Sequence, residues 1–145
     1  MEVARWLIAF VAFITAIGGL MADYFIPSSG AQHIKNPRWP PHAKFHNAQS
    51  ILMGLSLGVV VLILLFRHAS VRIDELWLAA ILASIYWICI FAAPLFPGTA
   101  FVDPEFASTA PRPIGLPGQL FIGFVLVAIL IAAMALGLFS AHGRV

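Results

Sequence analysis

The stretch Ala48–Phe66, AQSILMGLSLGVVVLILLF, is mostly apolar and contains no charged residue. A helix of about 20 such residues is long enough to cross the hydrocarbon core of a bilayer. Three further runs have the same character, and they lie at Trp6–Ala22, Leu76–Phe96 and Leu120–Phe139. No alternating pattern long enough for a barrel is present. The sequence therefore predicts an all-α protein, a four-helix transmembrane bundle.

The composition leads to the same class of protein. Of the 145 residues, 61% are hydrophobic and 10% are charged, whereas soluble domains carry about 25% charged residues. A soluble core of this size would leave much apolar surface in water. The net charge is only +2 and the basic residues are scattered, which argues against nucleic acid as a partner. We expect residues 1–145 to form a single transmembrane domain in the lipid bilayer.

Helix-starting and helix-ending residues set the expected bounds of the spans. Asp23 closes the first run, and prolines 40 and 41 precede the second helix, where a first-turn proline is favourable. The first run is long for the apolar part of a signal peptide and lacks a small-x-small cleavage site, so we interpret it as a retained span. We expect spans at about 6–26, 46–66, 75–96 and 118–139, with the second helix beginning near Pro41.

Small residues recur every four positions on two of the spans. They are Ser50, Gly54 and Gly58 on the second span and Ala12 with Ala16 on the first. Such stripes allow helix backbones to approach closely, which predicts a compact bundle. The same stripes would also suit a homo-oligomer or a hetero-oligomer.

Four spans place both termini on the same side of the membrane. The eight basic residues divide evenly, with Arg5, Arg67, Arg72 and Arg144 on the terminal side and Lys35, Arg38, Lys44 and Arg112 on the other. The first set lies closer to the span ends, so the positive-inside rule favours cytoplasmic termini. The single cysteine, Cys89, lies within an apolar run, and we expect it to be buried.

Polar side chains gather on the side opposite the termini. Two long connections, residues 23–41 and 97–117, lie there, whereas residues 67–73 make a tight turn. Long loops in a small domain are usually functional or disordered, and their aromatic and proline content argues against disorder. With the start of the second helix, these loops carry Asp23, His33, Lys35, Asn36, Arg38, Trp39, His42, Lys44, His46, Asp103, Glu105 and Arg112.

His42 and His46 give the sharpest local signal, because residues four apart lie on one face of a helix. Gln49 continues that face toward the membrane. Two histidines at this spacing can share a divalent metal, although the sequence assigns no third ligand. The alternative is a pair of interfacial histidines that hydrogen-bond the loop.

Asp103 and Glu105 emerge on the same side, and a carboxylate beside a histidine is a plausible acid-base pair. We therefore predict His42, His46, Asp103 and Glu105 as catalytic residues, with an ordinary turn at Asp103-Pro104 as the alternative. Substrate-binding candidates are Arg38, Trp39, Lys44 and Gln49. Anchoring at the membrane surface explains the basic side chains equally well.

These residues favour an enzyme that acts on a lipophilic small molecule at the membrane interface. The alternative is a non-catalytic membrane subunit or lipid-binding module. A transporter is disfavoured because the interiors of the spans carry no Asp, Glu, Lys or Arg.

Three segments carry a resemblance to known sequences: Asn36–His46 (NPRWPPHAKFH), Phe96–Thr99 (FPGT) and Asp103–Phe106 (DPEF). They resemble an uncharacterised family of small four-span membrane proteins, some of which bear an acetyltransferase label. The resemblance implies a four-span membrane fold. We do not adopt the label, because nothing in the sequence looks like the phosphate-binding loop that an acyl-CoA would require.

Overall fold

The computed structural model describes residues 1–142, and these residues form helices and turns without a strand. Four long helices are α1 (Glu2–Leu20), α3 (Pro41–Phe66), α4 (Ile73–Ala92) and α5 (Gly118–His142), and a short helix, α2 (Pro27–Gly30), follows α1. All four long helices are apolar and long enough to cross a membrane. This confirms the all-α fold. Arg144, which contributed to the predicted orientation, lies outside the described residues.

The ends of the helices follow the local sequence. The second long helix begins at Pro41, as predicted, because Pro40 is extended (ψ 153°) and Pro41 occupies the first helical turn. At the start of α4, the Arg72 backbone N–H donates to Glu75 Oε2 at 3.1 Å, and this bond caps the helix. The third span is regular only as far as Ala92, after which residues 93–95 form a 3₁₀ turn around Pro94.

The C-terminal end of α1 widens into a π-helix over Met21–Phe25. Its signature is the bond from the Ile26 N–H to the Met21 carbonyl oxygen, 2.8 Å long and five residues apart. The first apolar segment therefore continues past Asp23, and Pro27 then begins α2. Asp23 therefore lies within the π-helix and not in a loop.

The four long helices pack around a core of small and branched side chains. Helix α1 contacts α3, α4 and α5, and α4 contacts α3 and α5. Ile8, Val61, Leu76 and Ala133 are fully buried at the centre. Large apolar side chains such as Phe10, Ile63 and Ile131 are half exposed or more on the outside of the bundle. An apolar exterior of this kind is suited to lipid rather than to water.

The closest helix contact joins the two small-residue stripes. A Cβ atom added at Gly58 would lie 2.4 Å from the Ala12 carbonyl oxygen and 2.6 Å from the Ala16 Cβ. Gly54 similarly faces the Thr15 carbonyl oxygen. The stripes meet within one chain, so an oligomer built through them would require α1 and α3 to separate.

A polar cluster closes the end of the bundle that carries the termini. The Arg5 side chain is buried and donates to the carbonyl oxygens of His68 and Ala69, both at 3.0 Å. Its guanidinium also lies 4.4 Å from the centre of the Phe66 ring. Because Arg5 holds the turn between α3 and α4, the long connections must lie at the opposite end.

We expect labelling of single cysteines to confirm this arrangement. In a Cys89→Ser background, Ser28→Cys and Ser108→Cys should react with a membrane-impermeant maleimide on intact cells if the termini are cytoplasmic. Ser70→Cys should react only after permeabilisation. All three serines are exposed, so access depends on the side of the membrane. Reaction of Ser70→Cys together with the other two would contradict the four-span topology.

We expect Gly58→Ala to destabilise the bundle by about 2 kcal/mol, because the added methyl group forces two backbones apart. Detergent melting measures the loss. Gly18→Ala is the matched control, since its Cβ would meet nothing within 4 Å. Equal melting temperatures for the two variants would show that the close contact contributes nothing.

Candidate functional site

The two long connections are fastened to each other by a group that we call the loop clasp, residues 36, 38, 39, 103 and 105. Asn36 is 1% exposed; its Nδ2 donates to Glu105 Oε1 at 3.0 Å, and its Oδ1 accepts from the Arg38 N–H at 2.9 Å. The Arg38 guanidinium forms an ion pair with the other oxygen of Glu105. A buried amide thus holds both a carboxylate and a backbone turn in place.

The second half of the loop clasp joins an indole to a carboxylate. Trp39 Nε1 donates to Asp103 Oδ2 at 3.3 Å, and the Trp39 ring lies edge-on to His33 with ring centres 6.0 Å apart. The structure therefore brings together four predicted site residues, Arg38, Trp39, Asp103 and Glu105. They are brought together as partners of one another, which gives each a structural role.

His42 and His46 contact each other, as their spacing predicts. Their Nε2 atoms are 3.1 Å apart, so one ring donates to the other, and His46 Nδ1 lies 3.3 Å from Gln49 Oε1. Both histidines are exposed. No contact among the described residues joins the pair to Asp103, Glu105 or His33, and Lys44 forms no side-chain hydrogen bond or ion pair there.

The donor set around the histidine pair is incomplete for a metal held by protein alone. Catalytic zinc sites use three protein ligands and structural sites use four. In the described part of the chain, no group of three or more His, Cys, Asp or Glu side chains is close enough to share an ion. A metal bound to both imidazoles would need its remaining ligands from water or from a substrate.

A cavity of about 360 Å³ lies beneath the second long connection, between the ends of the four long helices. Its walls are largely apolar, with Ile14, Trp87, Ile90 and Ile122 among them. Polar side chains join the lining, and they are Asp23, His33, Asn47, Ser50, Tyr86, Thr99 and Gln119. Apolar walls with a few polar groups are typical of small-molecule sites, whose volumes are about 300 to 1,000 Å³.

Asp23 lies between Asn47 and His33 in the cavity wall. Asn47 Nδ2 donates to Asp23 Oδ2 at 2.7 Å, and His33 Nδ1 lies 3.5 Å from Asp23 Oδ1. His33 Nδ1 also lies 2.8 Å from the Ser29 carbonyl oxygen. A carbonyl can only accept, so Nδ1 carries a proton, and Nε2 is the acceptor whenever the ring is neutral. The contacts therefore fix the tautomer of His33.

A buried hydrogen bond joins α1 to α4 beside the cavity. Trp87 Nε1 donates to Thr15 Oγ1 at 2.9 Å, while the Thr15 hydroxyl donates to the Val11 carbonyl oxygen. Beside it, the Tyr86 and Ser50 side chains line the cavity. The bond between Trp87 and Thr15 holds α4 against α1.

A second crevice of about 330 Å³ lies between α3 and α4 and shares Ser50, Tyr86, Ile90 and Ala93 with the cavity. His46 and Gln49 line it, as does Cys89. Cys89 is exposed, so the predicted burial of this residue was wrong. An apolar run does not reveal which of its residues face outward, and position 89 lies on the outer face of α4.

The sequence alone places Asp23 and His33 among the polar residues of the first connection and does not predict that they pair. Their pairing depends on the π-helix and on α2, neither of which has a strong sequence signal. One signal was present, because an ionisable residue at the end of an apolar span is costly unless it is paired. Asn47, one residue after His46, is the partner.

Comparison with known proteins gives a family but no activity. Residues 7–136 match the model of the Family of unknown function (DUF6640), and the chain therefore belongs to that family. No curated protein and no solved structure matches the sequence significantly.

We expect Asn36→Ala to loosen both long connections, because it leaves Glu105 and the Arg38 N–H without a buried partner. A loss of this kind costs about 1 to 3 kcal/mol. Hydrogen exchange should accelerate around residues 36–39 and 103–106 together. Gln32→Ala is the control, since Gln32 donates only to the nearby Ser28 carbonyl at an exposed position. Faster exchange in the first connection alone would contradict the loop clasp.

Proposed function

We propose that this family member is a membrane enzyme that acts on a lipophilic small molecule held in the cavity. The observation that carries the proposal is the Asp23 and His33 pair in the wall of an otherwise apolar cavity. This pair replaces the predicted pairing of His42 and His46 with Asp103 and Glu105, because those carboxylates are already bound within the loop clasp.

His33 has the contacts of a general acid-base group. Its Nδ1–H is oriented by the Ser29 carbonyl and by Asp23, which leaves Nε2 without a hydrogen-bond partner among the described residues. A histidine held through one nitrogen presents the other as a base at neutral pH. In the proposed reaction, Nε2 takes a proton from the substrate and returns a proton to it, with Asp23 stabilising the imidazolium.

The substrate enters from the bilayer through the crevice between α3 and α4. The shared residues Ser50 and Tyr86 separate that crevice from the cavity. His46 and Gln49 lie at its edge, where they would contact the polar part of an entering molecule, and His42 supports His46. Under this proposal a divalent metal on the two histidines is an additional feature and takes no part in the proton transfer.

The remaining predicted substrate contacts act at the membrane surface. Lys44 is partly buried without an ion pair among the described residues, which suits an interaction with lipid headgroups. Arg38 and Trp39 act indirectly, since the loop clasp holds the second connection over the cavity. The cavity then lies at the membrane face opposite the termini, which we place in the cytoplasm.

A non-catalytic lipid-binding module is the second candidate. The observation in its favour is that Asp103, Glu105, Arg38 and Trp39 are all engaged in contacts within the protein. In that case the cavity would bind the same kind of molecule, and His33 would only contribute to its polarity.

We expect His33→Gln to abolish turnover while the bundle stays folded. The purified protein is incubated in D₂O with a lipid extract of its source membrane, and mass spectrometry detects deuterium in any lipophilic species. Wild type should label at least one species, and His33→Gln should lower the rate by about 10²-fold or more, as for loss of a general base.

His68→Gln is the matched control, because His68 is exposed at the opposite end of the bundle. Extraction of the purified proteins shows in parallel which lipophilic molecules remain bound. Labelling by wild type no faster than in a protein-free sample, with a bound lipophile, would favour the binding module. Equal labelling above that background by wild type and His33→Gln would remove His33 from the reaction. If no species is labelled and no lipophile is bound, both candidate functions are contradicted.

A further inference from the structure

We propose that the molecule bound in the cavity is a lipophilic amine whose protonated nitrogen donates hydrogen bonds to Asp23. This inference rests on the cavity being the substrate site, and it names the chemical class of the substrate. It follows from counting which hydrogen-bond donors and acceptors of the cavity lining are already used.

The amide side chains of the lining direct their donors to the protein. Asn47 Nδ2 donates to Asp23 at 2.7 Å, and Gln119 Nε2 donates to the Phe101 carbonyl oxygen at 3.1 Å. Asn47 Oδ1 is buried and has no partner. That oxygen is inaccessible from the cavity, so the Asn47 amide acts there through its bond to Asp23.

The other polar groups are used in the same way. The Thr99 hydroxyl donates toward the carbonyl oxygens of Ala93 and Phe96, at 3.0 and 2.9 Å. His33 Nδ1 donates to the Ser29 carbonyl oxygen. The lining therefore offers mainly acceptors, namely carboxylate, amide and hydroxyl oxygens and the His33 Nε2 atom.

The charge in the cavity points to a cation. Asp23 is the one carboxylate in the lining, and no lysine or arginine of the described chain joins it there. Asn47 supplies one hydrogen bond to this carboxylate, and the His33 Nδ1–H, 3.5 Å away, is donated to Ser29 instead, whereas an ionised carboxylate accepts about four. An ammonium group brings both the missing donors and the opposite charge.

The rest of the cavity fits the apolar part of such a molecule. Ile14, Ile90 and Ile122 line it, together with the Trp87 ring, whose N–H is already bound to Thr15. An anionic lipophile would meet Asp23 unfavourably, and a hydrocarbon would bring no donor to the Asp23 carboxylate. A neutral alcohol would satisfy the acceptors but not the charge.

Decylamine, decanol and decanoate test the proposal, because they share a chain and differ in the head group. Binding to the purified full-length protein in one detergent is followed by the quenching of Trp87 fluorescence, in a variant in which Trp6, Trp39 and Trp77 are Phe. Decylamine should bind at least tenfold more tightly than decanol, and decanoate more weakly still. Asp23→Asn keeps the side-chain shape and should remove the preference for the amine.

Asp74→Asn is the control, since Asp74 is an exposed carboxylate paired with Arg72 at the other end of the bundle. Its preference for decylamine should equal that of wild type. If the aromatic replacements unfold the protein, the shift in melting temperature caused by each ligand in the native chain gives the same comparison.

Equal binding of decanol and decylamine, or a preference unchanged by Asp23→Asn, would overturn the amine assignment and leave the cavity as a lipophile site. A preference for decylamine that depends on Asp23 would support the assignment even if His33→Gln kept full turnover. That second result would contradict only the catalytic proposal. Failure of all three ligands to bind would overturn the assignment together with the cavity as a binding site.

Discussion

The close approach of α1 and α3 at Gly58 is the constraint on which the rest of the bundle depends. Because the Ala12 backbone lies where a side chain at position 58 would be, the two helices are fixed in register along their length. That register brings Asp23, at the far end of the first span, beside Asn47 of α3. Packing between small residues in the middle of the bundle thus sets the polar contacts of the cavity.

The sequence predicted the fold well because span length and apolarity are strong, local signals. The second long helix begins at Pro41, as expected. The four-residue repeat of small residues on the first two spans correctly indicated a close contact, which Gly58 makes with Ala12 and Ala16. The arrangement of the predicted site residues was harder to foresee, and their catalytic roles stay predictions. The four-residue spacing of His42 and His46 predicted their contact. No feature of the local sequence indicated that Glu105 would bind Asn36, 69 positions away along the chain. Contacts between distant loops depend on the fold as a whole.

The polar residues of the loop end divide into two groups with different solvation. The loop clasp satisfies its own donors and acceptors, and its ion pair lies near water, where such pairs contribute little alone. The buried Asn36 amide is the part whose loss is costly. In the cavity, by contrast, Asn47 Oδ1 is left unpaired. The buried Asn36 amide therefore has its partners, whereas the Asn47 amide keeps one oxygen without a partner. Departures of this kind from the usual pairing of buried polar groups are expected at functional sites.

The π-helix at Met21–Phe25 makes the spacing between α1 and α2 sensitive to chain length. A π turn holds one residue more than an α turn, and each residue of an α-helix rotates the chain by about 100°. A single-residue deletion at position 21 or 22 would let the segment return to α geometry and would turn Asp23 away from Asn47. The same deletion in the exposed loop tip near Ser108 would be absorbed locally. Insertions and deletions, more than substitutions, should therefore be excluded from this one turn of the first helix.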